Sequence, residues 1–158
     1  MKKILISILV IIMIVTFCSC NGAGIDIQSD VETDTNDWVT IDIDQDTVTR
    51  TSAEVTITVN TDYEISGGEP EAFAVEMLKD GVWYKLKYKH PDDVSPAVAY
   101  GYSGTEKVTA DWNRHYGKLP DGHYRLIKYL SATTDIDNET GETTEVDFCV
   151  SDEFDVGS

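Results

Sequence analysis

The chain reads as an all-β protein, an antiparallel β-sandwich of about seven strands, and three features of the sequence say so. Nearly every segment beyond residue 37 alternates apolar and polar side chains with the period of two that a half-buried strand requires. Turn residues interrupt these segments at short, regular intervals, as in a sandwich. No stretch carries the 3.6-residue apolar period of an amphipathic helix, and no internal repeat occurs.

The first element precedes the sandwich. Lys2 and Lys3 are followed by an apolar run from Ile4 to Phe17 that breaks into Cys18, Ser19 and Cys20. That is the layout of a secretory signal, and the run is shorter than the ~20 residues that cross a bilayer. The Phe17-Cys18-Ser19-Cys20 string resembles the lipobox of bacterial lipoproteins, with Ser19 as the small residue before the modified cysteine. It departs from the usual pattern at Phe17, where Leu is common, and at Cys18, where Ala, Thr or Ser is common. The resemblance implies a signal peptide over residues 1–19, lipid on Cys20, and a protein held on the extracytoplasmic face of the cell membrane. Residues 20–37 follow as a lipidated N-terminus and acidic linker, NGAGIDIQSDVETDTND after the cysteine, rich in Gly, Asp, Thr and Ser. It reads as a disordered tether that would hold the domain on the order of 20 Å from the bilayer.

The sandwich is expected over residues 38–158. Trp38 to Ile43 alternates, and Val55 to Val59 alternates with a β-branched residue at every position, so both predict strands with one buried face. Phe73 to Lys79, then Asp80-Gly81, then Val82 to Tyr88 predicts a tight hairpin, because Asp-Gly accepts positive φ at both centres of a type I′ turn. His90 to Gly104 contains Pro91, Pro96, Gly101 and Gly104 and reads as a long connection with at most one short extended piece, around Val98 to Tyr100. Glu106 to Trp112 predicts a strand and Asn113 to Gly117 a short helical turn. His123 to Ser131 predicts another strand, Asp135 to Gly141 a polar hairpin loop, and Thr143 to Val156 the last strand or pair of strands. Tyr124 stands two residues past the turn glycine Gly122, the position of a tyrosine corner, in which the hydroxyl bonds back to upstream backbone.

Charge and chemistry narrow the function. The net charge is −17, and loss of Lys2 and Lys3 with the signal takes it to −19. Without a basic cluster in the sequence, nucleic acid is excluded as a partner, and direct binding to anionic headgroups is disfavoured. Of the three cysteines only Cys149 is left to the folded domain, so no intrachain disulfide forms there, and its strand-like surroundings predict a half-buried structural thiol. His90, His115 and His123 lack the local spacing of a metal site and read as surface histidines. Asp135 to Gly141 offers hard oxygen ligands suited to calcium, but its glycine falls one position late and Val146 stands where an EF-hand needs its last Glu, so a solvated turn is expected. Nucleophile elbow, phosphate loop and isolated carboxylate pair are all missing from the sequence, and nothing calls for a cofactor. The expectation is a protein without catalytic residues. Tyr100, Tyr102, Trp112 and Tyr116 belong to a surplus of aromatics from which an exposed contact patch could be built, the alternative being that those alternating on strands are core and the rest cover sheet edges.

Asp80-Gly81-Val82-Trp83-Tyr84-Lys85-Leu86, Val108-Thr109-Ala110-Asp111-Trp112 and Tyr116-Gly117-Lys118-Leu119-Pro120-Asp121-Gly122-His123-Tyr124-Arg125-Leu126-Ile127-Lys128 resemble the bacterial immunoglobulin-like domain of small lipoproteins. The resemblance covers roughly Trp38 to Val156. It implies an immunoglobulin-like sandwich and no catalytic site. The chain departs from it at the short Ser103-Gly104-Thr105 turn and at Asp152, which interrupts the apolar face of Val146, Phe148, Val150, Phe154 and Val156. The function expected is a lipid-anchored surface module acting through an unidentified protein or ligand. Two alternatives remain open. One is an envelope protease inhibitor presenting the Lys89 to Gly104 loop, by similarity to small bacterial inhibitor domains of like ending, and the other is a passive structural protein of the envelope.

Overall fold

Alternation in the sequence becomes burial, strand by strand. The computed structural model describes residues 24–90, 99–136 and 142–157. Ten strands lie among them: β1 (Ile25–Gln28), β2 (Val39–Ile43), β3 (Ser52–Val59), β4 (Glu64–Gly67), β5 (Ala74–Lys79), β6 (Val82–Leu86), β7 (Tyr100–Tyr102), β8 (Thr105–Asp111), β9 (Gly122–Ile136) and β10 (Thr143–Val156). A single 3-10 turn, Gln45–Thr47, sits between β2 and β3. The signal segment with Cys20, the middle of the long connection at 91–98, and most of the Asp135 to Gly141 loop, at 137–141, lie outside the described residues.

Two antiparallel sheets face each other, as the all-β sandwich requires. The smaller has the order β2-β3-β8. In β2 the side chains of Val39, Ile41 and Ile43 are buried while Thr40 and Asp42 are exposed, and β3 buries Ala53, Val55 and Ile57. The larger sheet is organised by β9. One of its edges carries β10 from Gly122↔Val156 to Ile136↔Thr143. Its other edge is shared, with β5 on residues 124–127 and β4 on residues 130–133. Strand β6 with β1 extends the β5 branch, and β7 extends the β4 branch.

Lys128 fills the fork between those branches. Its ammonium donates to the backbone carbonyls of Glu69 (2.5 Å), Pro70 (3.2 Å) and Ala72 (3.0 Å), all in the β4–β5 connection, and lies 4.8 Å from the centre of the Phe73 ring. Burial pulls its pKa down to about 8. A buried ammonium is tolerated here because three carbonyls replace its water.

The core joins the two layers through aromatics. Trp112, at the end of β8, stacks on Phe154 of β10 at 5.0 Å, and Phe154 stacks on Tyr124 at 5.6 Å. The Trp112 indole N–H donates to the Arg50 carbonyl at 3.0 Å. Tyr124 is fully buried, and its hydroxyl donates to the Pro120 carbonyl four residues upstream at 2.9 Å. Burial pushes that phenol up to about 12.

The hairpin at Asp80-Gly81 has positive φ at both residues, 53° and 77°, and pairs Lys79 with Val82. Residues 113–117 form the expected helical turn, closed by Tyr116 N–H to Trp112 O and Gly117 N–H to Asn113 O. Asp152 breaks the apolar face of β10 for a reason: its carboxylate accepts the Ile43 N–H at 2.7 Å and ties the edge of one sheet to the edge of the other.

Three expectations are corrected. The strand count is ten among the described residues, because β1 and β4, at four residues each, are too short to stand out as runs. The extended piece in the long connection is Tyr100–Tyr102, slightly later than expected. Residues 24–37 are no free tether: β1 pairs with β6 and the chain after it is bonded across the larger sheet. Composition could not show this, since the segment is held by backbone groups and short polar side chains instead of an apolar stripe.

Candidate binding face

The outer face of the larger sheet, turned away from the smaller one, is built around that N-terminal strap. Leaving β1, Ser29 donates its N–H to the Trp83 carbonyl at 2.8 Å and its hydroxyl to Glu76 Oε1 at 2.5 Å. Arg125 Nη2 reaches the Val31 carbonyl at 3.3 Å. Asp34, with φ of 58°, then donates its N–H to the Cys149 carbonyl and accepts from both the N–H and hydroxyl of Ser151. The strap thus crosses β6, β5, β9 and β10 in turn. Ile127, which faces outward beside Arg125 in the alternation of β9, is fully buried.

Under the strap lies an ion pair almost removed from water. Arg125 Nε and Nη2 both donate to Glu76 Oε2, at 2.9 and 2.6 Å, and the guanidinium lies 4.6 Å from the Trp83 ring centre. Among the described residues no buried side-chain nitrogen or oxygen, those of this pair included, lacks a partner, which such burial demands. His123 continues the row, 5.9 Å from Trp83, with its ring nitrogens at 2.8 Å from Asp155 and Glu153. It is therefore more than a bare surface histidine. Bonds to Asp155 and then to Glu153 raise its pKa above the usual value of 6.5. The charged form is favoured by folding, so the stabilisation is fully present below that value and is lost as pH rises through the raised one. His123→Gln should remove this dependence: the Tm difference between wild type and variant, followed by circular dichroism, should narrow as pH is raised from 6 to 9.

Beyond the ion pair the strap and the strands leave an open groove of about 590 Å³. Glu32 and Thr35 form its strap side, with Tyr129 and Cys149 on the strands below and Ser131 and Asp147 at the rim. The Ser131 hydroxyl is bonded to the Asp147 carboxylate. Gly67 completes the wall, where a Cβ would stand 2.9 Å from both Leu130 Cδ2 and the Tyr129 carbonyl, so only glycine lets β4 approach β9 this closely. Tyr129 is half exposed. Burial, and then the neighbouring Asp147, raise the Cys149 thiol above its ordinary pKa. A thiol held protonated is a poor nucleophile, in keeping with a structural role. Among the described residues, no group of three or more His, Cys, Asp or Glu is arranged to hold a metal ion. The groove offers carboxylates, hydroxyls and the half-exposed Tyr129 ring, a lining suited to hydroxyl or amine donors carried on an apolar body.

The aromatics singled out from sequence do not make this surface. Trp112, Tyr116 and Tyr102 are buried, and Tyr100 alone of the four is exposed, at 37 %. The Tyr116 hydroxyl oxygen accepts the Val75 N–H at 3.3 Å, and the Tyr102 hydroxyl donates to the Gly68 carbonyl. Burial raises both phenols. These side chains are drawn inward because each phenol or indole finds a backbone partner there. The groove residues were missed because the strap was read as linker. The alternation in Ile25-Asp26-Ile27-Gln28 was the signal available for it.

Comparison with known proteins found no match among curated proteins and none among solved structures. A family model described as "Bacterial Ig-like domain" matches residues 35–147, from just before β2 into β10. With two facing antiparallel sheets and a match across well over half its length, the chain belongs to the bacterial Ig-like domain family.

Proposed function

We propose that the protein is a lipid-anchored Ig-like module outside the cytoplasm that acts by non-covalent contact, with the groove beside Tyr129 as its contact site and no catalytic role. The observation that supports this reading is the groove itself, in which an Ig-like sandwich presents a half-exposed ring and carboxylates next to a thiol kept protonated. Lipid on Cys20 would keep this site at the membrane surface. The partner class that fits is a protein or glycan surface bearing donors on an apolar body, since Glu32 and Asp147 favour cationic or hydroxylic groups and repel anions.

In-cell crosslinking and affinity capture of the tagged lipoprotein should recover one partner near stoichiometry. Tyr129→Asp should lose it and Tyr100→Ala should retain it, while Cys20→Ala should release the chain from the membrane and controls for mere proximity. Recovery of only abundant envelope proteins, unchanged by Tyr129→Asp, would leave a passive structural role. A captured protease that the protein slows would favour the inhibitor instead.

A further inference from the structure

We infer that the corner of the sandwich where β6 ends, beside the 113–117 turn, is the face that meets the bilayer, and that it takes anionic lipid headgroups. The inference rests on lipid at Cys20 and adds a fixed orientation to it. Its first support is the distribution of positive charge. Arg50, Lys85, Lys107 and Arg125 are each paired with a carboxylate, and Lys128 is buried among carbonyls. Lys79, Lys87, Lys89, Arg114 and Lys118 are exposed and have no ion pair among the described residues. Four of these five share one corner. Lys89 donates its N–H to the His115 carbonyl at 2.7 Å and lays its side chain against Gly117, and Arg114 and Lys118 flank that same turn. Tyr88, 47 % exposed between Lys87 and Lys89, stacks on Tyr116 at 5.0 Å and meets His115 edge-on. Tyrosine beside lysines is a composition found at the headgroup level of membranes.

The second support is where the chain enters the fold. Gly24 accepts the Lys87 N–H at 2.8 Å, so the strand that leads back to Cys20 begins at this corner. Only four residue steps separate Cys20 from Gly24, a reach of at most ~14 Å when fully extended. The leash is thus shorter than the tether expected from composition. Strand β1 is also an edge of the larger sheet, with Ile25 and Ile27 exposed at 38 % and 57 %. Folded proteins cover or charge such edges, and the bilayer surface would cover this one.

The overall negative charge works with this orientation. Attraction of headgroups for the corner falls off within a Debye length of about 8–10 Å, while the acidic remainder of the molecule is repelled and turned outward. Asp26, exposed on β1, and Asp111, whose carboxylate accepts the Asn113 N–H at 2.9 Å at the start of the turn, take back two units, and Asp92 and Asp93 lie outside the described residues.

The test uses the mature lipoprotein reconstituted in vesicles of phosphatidylglycerol with phosphatidylcholine, or of phosphatidylcholine alone. A membrane-impermeant amine-acylating reagent is applied and each lysine is quantified by mass spectrometry. Labelling of Lys87, Lys89 and Lys118 should fall at least about threefold in the anionic vesicles, and ~1 M salt should restore it. Lys79, at the hairpin tip on the opposite end of β6, should be labelled equally in both. Equal labelling of the corner lysines in the two lipids would overturn the orientation. The same digest gives the mass of the N-terminal peptide: lipid on Cys20 with unprotected corner lysines overturns this inference alone, and Cys20 without lipid overturns the anchor and the orientation together.

Discussion

Arg125→Leu should destabilise the domain by about 3–5 kcal/mol, because it leaves the Glu76 carboxylate buried without its counter-charge. Glu76 is 1 % exposed and Arg125 8 %, so water cannot take the place of the lost partner without opening the strap. The guanidinium also holds the Val31 carbonyl and covers Trp83, so the strap should loosen as the pair is broken. Urea unfolding gives the energy, and hydrogen exchange of residues 29–35 reports the strap. The double variant Glu76→Leu/Arg125→Leu should recover most of the loss, since replacing both charges by apolar groups removes the desolvation problem with the attraction. A single variant costing under about 1 kcal/mol would mean that the pair is hydrated and the face open.

Trp112→Ala should cost a similar ~3–5 kcal/mol, the range for removing a large buried aromatic and leaving a cavity. Trp112 is 3 % exposed, stacks on Phe154 and satisfies the Arg50 carbonyl, so truncation opens the seam between the two sheets and orphans an acceptor together. Tyr100→Ala, at a 37 % exposed position whose hydroxyl donates to the Glu106 carboxylate, should change stability by no more than about 1 kcal/mol. Parallel urea titrations of the two variants separate core from surface. Similar small losses at both sites would mean that Trp112 is accessible, as the exposed patch offered from the sequence required.

Trp112, which the sequence left open between core and contact patch, shows what periodicity can and cannot say. Within β2 and β3 the alternation of β-branched residues names the buried side chains correctly, because neighbouring residues on a pleated strand must point to opposite faces. The Asp80-Gly81 turn is equally local, since two adjacent positive φ angles depend on those two residues. Trp112 and Tyr116 lie beyond the end of β8 in a helical turn, where a period of two no longer assigns a face. Their burial depends on Phe154, Arg50 and Val75, far away in the chain.

The sequence by itself determined the class of fold, the main hairpin, the position of Tyr124 past its turn glycine and the structural character of Cys149. Each of these follows from side-chain alternation, turn chemistry or composition within a few residues. Tertiary structure alone decided that residues 24–37 form a strap, that Lys128 fills the fork of the larger sheet, that Arg125 and Glu76 pair beneath the strap and that the unpaired cations share one corner. These arise from groups about 25 to 120 residues apart along the chain, held by backbone carbonyls and single carboxylates. Polar contacts of that kind have no period, so they leave no pattern to read until the sheets are assembled.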